Sequence, residues 1–125
     1  MKPSSETLFH CEHLWVRVQG GAEALVGVSL HAGAQLGEVV FVDGPPPGTL
    51  IVQGVSCGIV ESSKVVSDLI APVSGTVIAS RAEAADVNRD PEGEGWILRV
   101  RLAQPEQLAS LLSAEQYRLH IGAPR

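Results

Sequence analysis

The sequence predicts a mainly β fold, a pseudo-symmetric sandwich or flattened barrel with a short internal helix and a C-terminal helix. Three observations lead there. Short runs rich in β-branched residues recur along the chain, separated by glycine- and proline-rich turns. Two such runs flank a polar segment, Glu61 to Asp68, that holds a single lysine at its middle, as in a hairpin whose tip presents one side chain to solvent. A weak internal repeat brackets that tip: Pro45-Pro46-Pro47-Gly48-Thr49-Leu50-Ile51-Val52 echoes Pro72-Val73-Ser74-Gly75-Thr76-Val77-Ile78-Ala79. Two similar β units on either side of a tip would hold it between two halves.

In chain order, residues 1–9 are expected to be a flexible N-terminal segment. His10-Cys11-Glu12-His13 follows; its members are adjacent rather than at paired ligand spacing, so a strand lead-in is expected and no metal site. Leu14 to Val18 alternates as a half-buried strand, Gln19 to Ala22 turns, and Ala24 to Val28 returns. Ser29 to Leu36 has the composition of a short helix, with Ser29 as N-cap and Gly37 as its stop. Glu38 to Asp43 is a strand, and Gly44-Pro45-Pro46-Pro47-Gly48 a stiff turn. Thr49 to Val52 and Val55 to Val60 continue the β pattern to the lysine. A further strand runs from Gly75 to about Ala79, then a polar, alanine-rich piece over 81–86 and a turn-rich loop over 90–95. Trp96 to Leu102 alternates, predicting Trp96, Leu98, Val100 and Leu102 inward and Arg99 and Arg101 outward. Pro105 to about Leu119 reads as one helix with Leu108, Leu111, Leu112 and Tyr117 on its packed face.

Composition narrows the function classes. A chain of 125 residues is expected to form one domain. With 45% hydrophobic and 18% charged residues it is globular rather than disordered, and at 4% aromatic its core is aliphatic. Nine basic residues against 14 acidic ones, a net charge of −5 and no basic run argue against nucleic-acid binding. The start has no apolar stretch long enough for a signal or a membrane span, and Cys11 and Cys57 form no Cys-x-x-Cys pair. A reducing, cytoplasmic setting is therefore expected. No nucleophile signature surrounds Ser56, Cys57 or the histidines, so catalytic residues are not expected.

Lys64 is the residue that could do chemistry. Most lysines are ordinary surface residues, but an amine on a flexible four-carbon stem can also be acylated, and the neighbours decide. Glu61-Ser62-Ser63-Lys64-Val65-Val66-Ser67-Asp68, running into Ala71-Pro72-Val73-Ser74-Gly75, resembles the lipoyl-attachment segment of the glycine cleavage system H protein family. Biotin carriers are less similar, since they place Met on both sides of the lysine and Ser63 and Val65 stand here. The likeness extends from about His13 to about Tyr117. It implies a lipoyl-type barrel-sandwich hybrid and lipoate in amide linkage to Lys64. It also implies that Glu61, Ser63 and Asp68 present the tip to a lipoate ligase or lipoyltransferase. The carrier would then be non-catalytic, serving a pyridoxal-phosphate glycine decarboxylase, a tetrahydrofolate-dependent aminomethyltransferase and a dihydrolipoyl dehydrogenase.

The departures from the family pattern are specific. His13-Leu14-Trp15 stands for His-Glu-Trp, and Ser29-Leu30-His31-Ala32 has lost an aspartate. Glu92 replaces a tyrosine in the Pro91 to Trp96 loop, and the segment between Gly75 and Asn88 is short. The family's aminomethyl cargo is cationic, and a carboxylate beside it would form a charge-assisted hydrogen bond that leucine cannot. Asp68 and Glu12 remain as candidates for that task. An H-like carrier of uncharged cargo, such as one serving a heterodisulfide-reductase-like complex in sulfur oxidation, is therefore the alternative. Glycine cleavage leads on family prevalence.

Overall fold

The computed structural model describes residues 6–81 and 83–122. Its strands are β1 (Thr7–Phe9), β2 (Leu14–Gly20), β3 (Glu23–Val28), β4 (Val39–Asp43), β5 (Leu50–Ile51), β6 (Ser56–Ser62), β7 (Val66–Ile70), β8 (Gly75–Ser80) and β9 (Leu98–Leu102). Among the described residues three α-helices accompany them: α1 (Leu30–Leu36), α2 (Ala84–Arg89) and α3 (Ala114–His120). Two antiparallel sheets face each other without closing: a six-stranded sheet in the order β1-β2-β3-β9-β8-β5 and a three-stranded sheet β4-β6-β7. The mainly β class and the C-terminal helix follow the sequence.

The internal repeat becomes a pairing. Its two copies contribute β5 and β8, which run antiparallel with Leu50 opposite Thr76 and Ile51 opposite Gly75. The hydrogen bonds from the Gly48 amide to Val77 and from the Val77 amide to Thr49 continue the same register. The pair Thr49–Val77 maps onto Thr76–Leu50 under the repeat, so the two units are related by a local two-fold, which ties together the chain on either side of the lysine hairpin.

Alternation on β2 serves two cores. Leu14 and Val16 enter the main aliphatic core with Val26, Val60, Val73, Val77 and Val100, while Trp15 enters a second cluster with Phe9, Leu25 and Tyr117. The half-buried strand read from the sequence is therefore buried on both faces at its start. Trp15 is wholly buried and donates from Nε1 to the Pro91 carbonyl at 2.9 Å. Gly27 lies opposite it, and a Cβ there would come within 2.7 Å of the indole.

Several expectations need correction. A flexible start through residue 9 is not what the chain does at Thr7–Phe9, which pairs with Arg17–Trp15 because Phe9 stacks on Tyr117 at 4.5 Å; residues 1–5 lie outside those described. The single C-terminal helix is broken. Pro105–Ser110 is a 3-10 helix, and Leu112 exchanges backbone hydrogen bonds with Phe9 before α3 starts at a Ser113–Gln116 capping box. The segment after β8 becomes α2, held by buried Val87 and by Asn88, whose amide group donates to the Val39 carbonyl and accepts the Val39 amide, both at 2.8 Å. Trp96 is only partly buried beside Arg81; Ile97 takes the core position. Among the described residues no helix is long and apolar enough to cross a membrane.

Candidate functional site

The hairpin of β6 and β7 leaves Ser63, Lys64 and Val65 as its tip. Inward alternation along β6 carries Val60 and then Ser62 to the buried face. A serine at a strand end can fold its hydroxyl back onto the backbone. Ser62 Oγ accepts from the amides of Lys64 and Val65, both at 3.1 Å, while the Ser62 amide donates to the Val65 carbonyl at 2.8 Å. The Ser63 amide donates to the Glu38 carbonyl at 3.1 Å, which ties the tip to the entry of β4. Lys64 is exposed, and its stem crosses the end of α1. A Cβ built on Gly37 would stand 3.3 Å from Lys64 Cε and 3.6 Å from Nζ.

The structure spreads the predicted site residues. Ser63 is exposed and touches the frame through its backbone. Glu61 sits between Phe41 and Val66 in an outward row. Asp68 lies further down β7 and accepts from Ser56 Oγ at 3.2 Å. Ser62, the residue that shapes the tip, is not one of the three that the resemblance assigns to its presentation. Its signal was its place two residues after Val60 in the inward alternation.

Beside the hairpin, between β7, α1 and the start of β2, runs a groove of about 410 Å³. Glu12, His13, Leu14, His31, Ser67 and Asp68 are on its walls. Leu14 therefore replaces the family's acid on the groove itself, whereas Leu30 lies outside it, 62% exposed. Glu12 and Asp68 are the carboxylates that remain. The groove's far end is fixed by a polar chain. His13 Nδ1 shares a hydrogen bond with the Tyr117 hydroxyl at 2.7 Å, which shares another with buried Ser29 Oγ at 2.8 Å, and that oxygen accepts the Ala32 amide as the cap of α1. Burial, helped by His31 with ring centroids 5.4 Å apart, holds the His13 imidazole below its ordinary pKa. Burial likewise raises Tyr117, and it pushes the Cys57 thiol up to about 11, so Cys57 packs beside the main core as a protonated side chain.

An exposed amine on a clipped tip, next to a groove with an apolar wall and two carboxylates, suits a covalently attached arm that can be held or released. A group linked through the lysine amine needs no pocket at the attachment point. The exposure of Lys64 and the adjacency of the groove fit lipoate.

Comparison with known proteins gives the family. The family described as "Glycine cleavage H-protein" matches residues 7–122. The glycine cleavage system H protein of Dinoroseobacter shibae is 40% identical over 120 residues, 93% of this chain and 98% of that protein. The one from Aeromonas salmonicida is 43% identical over 117 residues, 90% and 91% of the two chains. The crystal structure of a glycine cleavage system H protein from Mycobacterium marinum superposes with a TM-score of 0.83 at 34% identity, covering 97% of this chain and 99% of that one.

Proposed function

The chain belongs to the glycine cleavage H-protein family, and from that premise we propose that it is a single carrier domain bearing lipoate on Lys64. The observation that carries the reading is the tip itself: Ser62 bonds the amides of an exposed Lys64 and of Val65, and the Lys64 stem crosses Gly37, the residue after Leu36 on the groove wall. When bound, lipoate supplies a disulfide that exchanges with thiols and takes up a one-carbon amine. The chain's own residues do the rest. Ser62 and the Ser63–Glu38 tie hold the tip in one shape for a lipoate ligase or lipoyltransferase, and Glu61 beside it and Asp68 further down β7 serve as negative markers. Glu12 and Asp68 supply carboxylates to a cationic cargo in the groove, where the apolar wall of Leu14 excludes water.

The partners of this reading are a pyridoxal-phosphate glycine decarboxylase, an aminomethyltransferase and a dihydrolipoyl dehydrogenase, meeting the carrier in the cytoplasm. The carrier brings no catalytic residue of its own. The relatives carry the glycine cleavage name, which favours this pathway over a heterodisulfide-reductase-like complex. The test is glycine-dependent release of carbon dioxide by the decarboxylase, with lipoylated carrier supplied. Release with the parent and none with Lys64→Arg is expected; release with both would sink the assignment.

A further inference from the structure

Helix α1 stands as a ridge between two recesses, and Lys64 lies across its C-terminal end. One recess is the groove with Glu12 and Asp68. The other is a cleft of about 280 Å³ toward α2, lined among others by Leu30, Gly33, Gly37, Val87, Arg89 and Pro91. No carboxylate lines this cleft among the described residues. The stem of Lys64 already rests on Gly37, which belongs to it. Gly33 is inside a helix, where glycine is less favourable than alanine, and a Cβ there would meet only Pro91 Cγ, at 3.9 Å. Alanine would fit, yet the floor stays bare and the cleft open. Leu30 adds an apolar side chain where the family pattern has an aspartate.

We propose that this cleft is a second seat for the arm on Lys64, taking it while the end of the arm is an uncharged dithiolane ring. The inference rests on the reading of Lys64 as the lipoylated residue. An apolar ring gains by leaving water for the glycine, valine, leucine and proline surface. On that lining Arg89 is already paired with Asp86 at 2.8 Å, and the nearby Glu92 accepts the Leu30 amide at 2.7 Å, so a cationic end finds no lining carboxylate there and its seat is the groove, where Glu12 and Asp68 stand. The charge of the arm thus sets which side of α1 it occupies, and Leu30 favours the uncharged side.

The experiment compares amide spectra of nitrogen-15-labelled protein before and after lipoylation, with the arm in its disulfide form and modification verified by intact mass. Shifts are expected at Gly33 and Val87, which lie in the cleft away from the tip. They should fall by at least half in Gly33→Leu, which fills the floor, and in Ala34→Leu as a second filling variant, with both variants fully modified and folded. Shifts confined to Leu14 and Leu69 in the groove, or to the tip alone, would overturn the second seat and leave the carrier reading intact. A protein that gains no mass at Lys64 would overturn both.

Discussion

The buried hydroxyl of Ser62 accepts a hydrogen bond from the backbone amide of Lys64 at 3.1 Å, and another from Val65. The lysine backbone is thereby fixed while its side chain stays exposed, a division that suits a residue which must be recognised as a backbone shape and modified at its end. Ser62→Ala removes the acceptor of both amides. We expect a loss of about 1–2 kcal/mol of stability and faster hydrogen exchange at Lys64 and Val65 than at Val60. Unchanged exchange at those amides would show that the hydroxyl does not hold the tip.

Leu14 is 5% exposed on the wall of the groove, in the place of the family's acid. Leu14→Glu should lengthen the half-life of aminomethyl-loaded carrier about tenfold, the equivalent of about 1.4 kcal/mol of charge-assisted hydrogen bonding. The melting temperature should drop, since a carboxylate would be placed against the aliphatic core. Quantifying free formaldehyde and ammonia over time reads the first effect. A loaded arm that decays at the parent's rate would mean the cargo does not reach this wall.

Burial holds both His10 and His13 below their ordinary pKa. A depressed value means that the unfolded chain binds protons more readily than the fold. The stabilising contribution is therefore complete above about pH 6.5, the unfolded value, and is lost as pH falls through the lower folded values. Melting temperature should decline from pH 7 toward pH 5, and His13→Gln, which can still bond the Tyr117 hydroxyl, should make the decline shallower. An identical slope in the variant would remove His13 from the account.

Gly27 faces Trp15 so closely that a Cβ would stand 2.7 Å from the ring. Gly27→Ala should cost about 1–3 kcal/mol through overpacking, seen as a lower denaturant midpoint. A midpoint equal to the parent's would mean that the indole has room to move despite its bond to Pro91.

Much of this was legible in the sequence because it rests on local signals. Alternation located β2, β3 and β9, the Ser29 and Gly37 caps bounded α1, and the repeat marked the two units that supply β5 and β8, though not that these strands pair with each other. Lys64 and Asp68 stood out through the family motif, but the surroundings that place them did not. That Asp68 lines a groove and Ser63 acts through its amide depends on contacts with β4, α1 and β2, which are distant in the chain. The missed features share that cause. Strand β1 exists because Phe9 stacks on Tyr117, the break at Leu112 exists because its backbone pairs with Phe9, and α2 holds its place through Asn88 and Val39. None of these partners is near its mate in sequence.

Lys64 as the attachment point of a lipoyl arm is tested by the intact mass after incubation with lipoate, ATP and a lipoate ligase. The parent should gain the mass of one lipoyl group, and Lys64→Arg, folded to the same melting temperature, should gain none. A modified Lys64→Arg protein, or a parent left unmodified by an active ligase, would mean that Lys64 does not bear the arm.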